Sequence, residues 1–167
     1  MTVSGALSCP IGGERPLSAG EISLARTIFG TAIDYAPVKI RRRKWAFFQP
    51  KGVTMAPRGH IHFHPQGNAY CDDFAGVPLR RQAHFIHEMT HVWQTQTRGD
   101  WYLVLNRMPW ARYDYSLKPG WQLQQYGIEQ QARIVEHAFL LRNGMMLPGV
   151  ANAEPYAVLV SFPGATT

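Results

Sequence analysis

At 167 residues and 46% apolar content, the chain has the length of one compact domain and enough apolar side chains to fill one core, which makes a single domain the expectation. It carries 17 Lys+Arg against 11 Asp+Glu, a formal charge of +6, so anionic partners are favoured over basic ones. No window offers about 18 uncharged apolar residues, which argues against a membrane-spanning helix.

The first twenty residues, MTVSGALSCPIGGERPLSAG, lack the basic start and continuous apolar block of a signal peptide. The chain therefore reads as a soluble protein made in the cytoplasm. Cys9 and Cys71 match no C-x-x-C spacing and read as two free thiols, with a single disulfide as the alternative. The expected organisation is an N-terminal segment over residues 1–14, one α+β domain over 15–146 and an irregular C-terminal tail over 147–167.

The first predicted element is a helix in LSAGEISLARTIFG. Ser18 stands three residues before Glu21, so each side chain can satisfy the other's exposed backbone N–H. Ile22, Ala25, Ile28 and Phe29 follow helical spacing, and Gly30 suits the end. APVKIRRRKWAFFQ, VTMAP and HIHFHP, bounded by Pro and Gly, predict strands of a small mixed or antiparallel sheet.

KIRRRKW, Lys39 to Trp45, concentrates the positive charge. Such a stripe attracts nucleic acid, phospholipid head groups or an anionic cell-wall polymer; the plainer expectation is a strand whose outer face is charged for solubility, with WAFF belonging to the core. No helix-turn-helix, zinc-finger or RNA-binding motif accompanies it, so nucleic acid is not the expected partner. In HIHFHP, alternation puts His60, His62 and His64 on one strand face, where they would line a cleft or meet solvent.

From Leu79 to about Thr97 no Pro or Gly interrupts the chain, and Leu79, Ala83, Ile86, Thr90 and Val92/Trp93 form a buried stripe on a predicted helix. WYLVLNRM is a short apolar piece with helical character, and PWARYDYSLKPG is irregular. A third long helix is predicted from about Trp121 to Arg142, ending at Asn143-Gly144.

The second helix holds the chemistry. His87 and His91 lie four residues apart, so both imidazoles project from one face, roughly 5–6 Å apart at Cβ, and suit one zinc ion. Glu88 sits about a third of a turn round, where its carboxylate can reach a water beside the metal without occupying the metal, giving H-E-x-x-H. In that arrangement the carboxylate takes a proton from the attacking water and delivers it to the leaving amine. A third ligand is available in QYGIEQQARIVEH: Glu129, with Glu136 as its competitor. Three protein ligands leave a fourth position open, the mark of a catalytic rather than a structural site. His84, one turn before His87, reads as a neighbour of the site or a surface residue, and His137 as reaching a different part of it.

RPLSAGEISLARTIFGTAIDYAPVKI, HIHFHP, HEMTHVWQTQ, YDYSL and YGIEQQARIVE together resemble the metallopeptidase domains found with extracellular contractile injection systems, and more closely the Vgr-related proteins encoded near type VI secretion spike genes. The resemblance runs from about Arg15 to Asn143, and its most specific part is Gln94 three residues after His91, as in the family's HELTHVxQ. It implies a zincin-like fold of gluzincin type, with the motif helix and a second long helix carrying the third ligand. It also implies His87, His91 and Glu129 on Zn2+ and Glu88 as general base and acid. Many gluzincins carry an Asp four residues after the ligand Glu to hold the first histidine; Arg133 stands there, so Glu136 or a backbone carbonyl would have to replace it. Tyr126, Tyr113 and Tyr115 are candidates for the donor that stabilises the oxyanion, Tyr126 foremost.

The leading expectation is a zinc-dependent peptidase or amide hydrolase that serves a contractile secretion apparatus as an exported effector or a processing enzyme. Cell-wall peptides of peptidoglycan type and other proteins are candidate substrates, and a secretion spike protein a candidate partner. The competing expectation is a non-catalytic zinc-containing adaptor docked to the spike, in which a side chain such as Cys9 fills the metal's fourth position.

Overall fold

The computed structural model describes residues 8–106 and 112–166. Strand β1, Glu14–Pro16, leads into α1, Ala19–Phe29, which begins as its sequence dictates. The Ser18 hydroxyl accepts from the Glu21 N–H, and the Glu21 carboxylate accepts from the Ser18 N–H. Ala25, Ile28 and Phe29 are buried. At Gly30 the chain takes a positive φ of 50°, and a Cβ there would collide with the backbone of Pro163 and Gly164, so the C-terminal residues cross directly over the end of this helix.

Glu21 does more than cap. It is fully buried and makes two 2.8 Å bonds to the Arg15 guanidinium while also accepting from the Phe74 N–H. One carboxylate thereby fixes β1, α1 and the turn before the motif helix.

Strands β2, Lys39–Arg41, and β3, Ile61–His62, complete a three-stranded sheet in the order β1-β2-β3. β1 pairs antiparallel with β2, and β2 pairs parallel with β3. The sheet is mixed as expected but smaller. VTMAP contributes only a bridge, Met55 to His62. β1, unassigned in the sequence reading, pairs through ERP, where Pro16 lies at a sheet edge that needs no donor.

Beyond Arg41 the chain leaves the sheet, and WAFF is not core. Phe47 is 89% exposed and Phe48 64%, because the Gln49 side chain, buried in their stead, takes the hydrogen bonds that hold the loop. The expected alternation of HIHFHP also fails. Ile61, His62, Phe63 and His64 are all buried, since β3 is covered on both faces.

Helix α2, Leu79–Arg98, carries the motif, and from Phe85 to Thr95 every residue is buried. Three near-parallel rings, Phe63, Phe74 and Phe85, stack at centroid distances of 5.4 and 5.2 Å and pin its first half to the sheet. A short helix α3 spans Tyr102–Asn106 within WYLVLNRM; Arg107 and Met108, and the start of PWARYDYSLKPG, fall outside the described residues.

The third long helix is shorter than predicted. A single 3-10 turn, Leu123–Gln125, is followed by extended Tyr126 and Gly127, and α4 runs Ile128–Arg142. Glu129 thus sits in the first turn of α4, which packs along α2. The tail is not irregular throughout: α5, Glu154–Leu159, buries Tyr156 and, just beyond it, Val160, and Phe162 packs at a tilt against Phe29 and edge-on to Trp93. Its four apolar positions were too few to show a period among three prolines.

Candidate metal centre

Where α2 crosses the start of α4, His87, His91 and Glu129 bring one ligand atom each within 4.8 Å of one another, all buried. Glu129 Oε2 lies 3.5 Å from His87 Nε2 and 3.3 Å from His91 Nε2. The sequence brings these three together because positions 87 and 91 share a helix face and the first turn of α4 lies against that face.

The opposite nitrogen of each imidazole is occupied. The Nδ1–H of His87 donates to Glu136 Oε2 at 3.0 Å, and the Nδ1–H of His91 donates to Gln94 Oε1 at 2.8 Å. A carboxylate and an amide oxygen can only accept, so in both rings Nδ1 carries a proton and Nε2 is the nitrogen turned inward. Gln94 is itself fixed, donating to the Ile128 carbonyl and to Gln131 Oε1, each at 3.0 Å, while Gln131 donates to the Tyr126 carbonyl at 2.6 Å. Burial opposes charge on His87, but hydrogen bonds to Glu129 and Glu136 prevail and push its pKa up to about 9.

Glu88 points toward the same space. It is 4% exposed, its Oε2 has no hydrogen-bond partner among the described residues, and its Oε1 lies 3.8 Å from His84 Nε2. A carboxyl oxygen buried without a partner is costly unless a cation or a donor completes it. Two inward imidazole nitrogens, a carboxylate oxygen between them and an unsatisfied acidic oxygen alongside form a donor set that fits one zinc ion, which would displace the proton held between His87 and Glu129. A cavity of about 230 Å³ opens over them, walled by Gly52, Val53, Thr54, Tyr113, Arg133 and Glu136.

Glu136, the rival to Glu129 as ligand, serves His87 instead and is clamped by Arg133 Nη1 at 3.2 Å. His84 lies at the cavity wall, its Nε2 2.9 Å from the Thr54 hydroxyl. His137 bonds to the Tyr115 hydroxyl, which donates on to Tyr156 at 2.9 Å; these three line a second, larger cavity of about 890 Å³ that meets the first at Tyr113 and Arg133.

Tyr126 does not line the metal cavity. Its hydroxyl accepts from the Lys118 N–H at 2.8 Å, and its ring packs against Trp121. Of the three candidate tyrosines, Tyr113 is the one that lines it. Cys9 lies elsewhere, its thiol 3.6 Å from the Pro10 carbonyl, and both cysteines are free. His60, His62 and His64 do not join the cluster; His62 packs edge-on to Trp45, and burial lowers its pKa to about 4.

Sequence reasoning missed the wall formed by Gly52–Thr54 and the link from Gln94 through Gln131. Gln94 carried a signal, since position i+3 from a histidine on a helix is within reach of its ring. The wall carried none, because a loop at that separation meets the site only through the sheet.

No protein-family model matches the chain. Over 156 residues it is 42% identical to the type VI secretion system spike protein VgrG2b of Pseudomonas aeruginosa, a match that covers 89% of this chain and 15% of that protein's length. A solved structure, the effector domain of Pseudomonas aeruginosa VgrG2b, superposes with a TM-score of 0.72 at 38% identity, covering 93% of this chain and 85% of that one.

Proposed function

The chain belongs to the family of the VgrG2b effector domain, and from that premise we propose that it is a zinc-dependent peptidase of zincin-like, gluzincin fold that acts as a type VI secretion effector. The observation that carries this reading is the convergence of His87, His91 and Glu129 beside the buried, unsatisfied Glu88. The three would hold the metal. When bound, zinc supplies Lewis acidity, making water a better nucleophile and polarising a carbonyl oxygen.

The residues of the chain perform the rest. Glu88 accepts a proton from the attacking water as the new C–O bond forms, and returns it to the amine nitrogen as the C–N bond breaks. Glu136 and Gln94 keep both imidazoles in one tautomer and orientation throughout. Tyr113, which lines the cavity, is the proposed donor to the oxyanion in place of Tyr126, whose hydroxyl is bound to the Lys118 N–H. The adjoining cavity of about 890 Å³ gives an extended peptide room beside the reacting bond. Peptides, including the cross-links of peptidoglycan, are the proposed substrates, and a spike protein the proposed carrier for export.

The test is metal analysis of the purified protein together with proteolysis of a denatured protein mixture. About one zinc per chain is expected, retained by Glu88→Gln while cleavage falls by roughly 10²–10⁴. A protein that binds no zinc, or a Glu88→Gln variant that cuts as fast as the parent, would sink the proposal.

A further inference from the structure

We propose that the loop from Arg42 to Lys51 docks the protein on an anionic phospholipid surface, Phe47 and Phe48 entering the headgroup region while the neighbouring cations meet lipid phosphates. The two rings stand 89% and 64% exposed, edge to face at a centroid distance of 5.3 Å. Isolated exposed apolar residues are common on protein surfaces; adjacent phenyl rings projecting from a braced loop are not.

The loop is braced from beneath. The buried Gln49 side chain accepts from the Trp45 N–H at 2.8 Å and donates to the carbonyls of Val53 at 2.8 Å and His62 at 3.1 Å. Trp45 packs edge-on to His62 at 5.6 Å, and Lys44 Nζ donates to the Phe47 carbonyl at 3.2 Å. The rings are therefore held outward by the fold.

Charge surrounds them. Between Lys39 and Lys51 the sequence carries Lys39, Arg41, Arg42, Arg43, Lys44 and Lys51 and no acid. Glu14 pairs with Arg41 and Arg43, and Arg42 lies over the Tyr70 ring, which leaves Lys44 and Lys51, both exposed, flanking the two phenyl groups.

Aromatic rings at headgroup depth with cations close by is the chemistry of a protein that rests on an acidic bilayer. A single nucleic acid strand would need a groove and faces on which bases stack, and here each ring covers part of the other. A protein partner would need a desolvated pocket at the centre of the contact, and these two rings stand exposed between Lys44 and Lys51. Gly52, Val53 and Thr54, the next residues along, wall the metal cavity, so docking the loop sets that cavity at the membrane surface.

The experiment is co-sedimentation of the whole chain with sucrose-loaded phosphatidylcholine vesicles containing about one third phosphatidylglycerol. The parent is expected to pellet with these vesicles and to stay in solution with phosphatidylcholine alone. Phe47→Ser combined with Phe48→Ser, and separately Lys44→Glu combined with Lys51→Glu, should each weaken binding roughly tenfold or more, with melting temperatures little changed because all four side chains are exposed and the one hydrogen bond lost, from Lys44 to the Phe47 carbonyl, lies at the surface. Failure of the parent to bind anionic vesicles overturns the proposal. So does binding by the serine variant equal to the parent's, since the net charge alone would then account for adsorption.

Discussion

His87 and Glu136 meet through a 3.0 Å hydrogen bond from ring nitrogen to carboxylate, and Arg133, one turn earlier on the same helix, grips that carboxylate at 3.2 Å. Arg133, four residues after Glu129, thus steadies the carboxylate that holds His87. Hydrogen bonding to His87, with further attraction from Arg133, holds Glu136 below the usual carboxylate range against the opposing effect of burial.

Removing that support should loosen the metal without unmaking the fold. Glu136→Gln is expected to weaken zinc binding about 10- to 100-fold, read by competition with a chromophoric chelator. Arg133→Ala should cost less, because the His87 bond survives it. Equal affinities for Glu136→Gln and the parent would show that His87 needs no such partner.

Gln94→Ala removes the acceptor for His91 and both donations to the start of α4. Leaving these buried groups unpaired should lower stability by about 1–3 kcal/mol and weaken zinc binding as well. Urea denaturation and chelator competition on one preparation would separate the two effects.

The Arg15–Glu21 pair, 3% and 0% exposed, is costly to break singly. Glu21→Leu is expected to lose about 3–5 kcal/mol by stranding the guanidinium. Adding Arg15→Met should recover part of that loss, measured by denaturant unfolding, since no uncompensated charge then remains.

His62 makes stability pH-dependent. Burial, with Arg41 close by, lowers its pKa to about 4 from an unfolded value of 6.5, despite its bond to the Arg43 carbonyl; His60 and Arg43 add smaller repulsion. The folded state then binds fewer protons than the unfolded one between those values. The stability is present in full above pH 6.5 and is lost as pH falls towards 4, by up to about 3 kcal/mol. Urea midpoints of the zinc-free protein at pH 7 and pH 5, beside those of His62→Phe, would isolate this contribution.

Much of the arrangement could be read along the chain because it depends on spacing within one helix. Ser18 and Glu21 announce the start of α1, and His87, Glu88 and His91 announce a shared face on α2, since residues three and four apart must meet on any helix. Glu129 could be named as the third member of the cluster although its helix was expected to begin at Trp121, because its neighbours in sequence stay its neighbours whichever residue opens the helix.

Contacts between distant segments were decided only in three dimensions. Whether Glu136 binds metal or His87 depends on how far α4 slides along α2, and which tyrosine reaches the cavity depends on the path of the chain around Tyr113 and Tyr126. WAFF has the composition of a core strand, yet Gln49 takes the buried place by offering both a donor and an acceptor to the backbone beneath. Composition and period fix which residues can be buried. Which of them are is settled by competition for one interior, where an amide that satisfies three backbone groups can displace two phenyl rings.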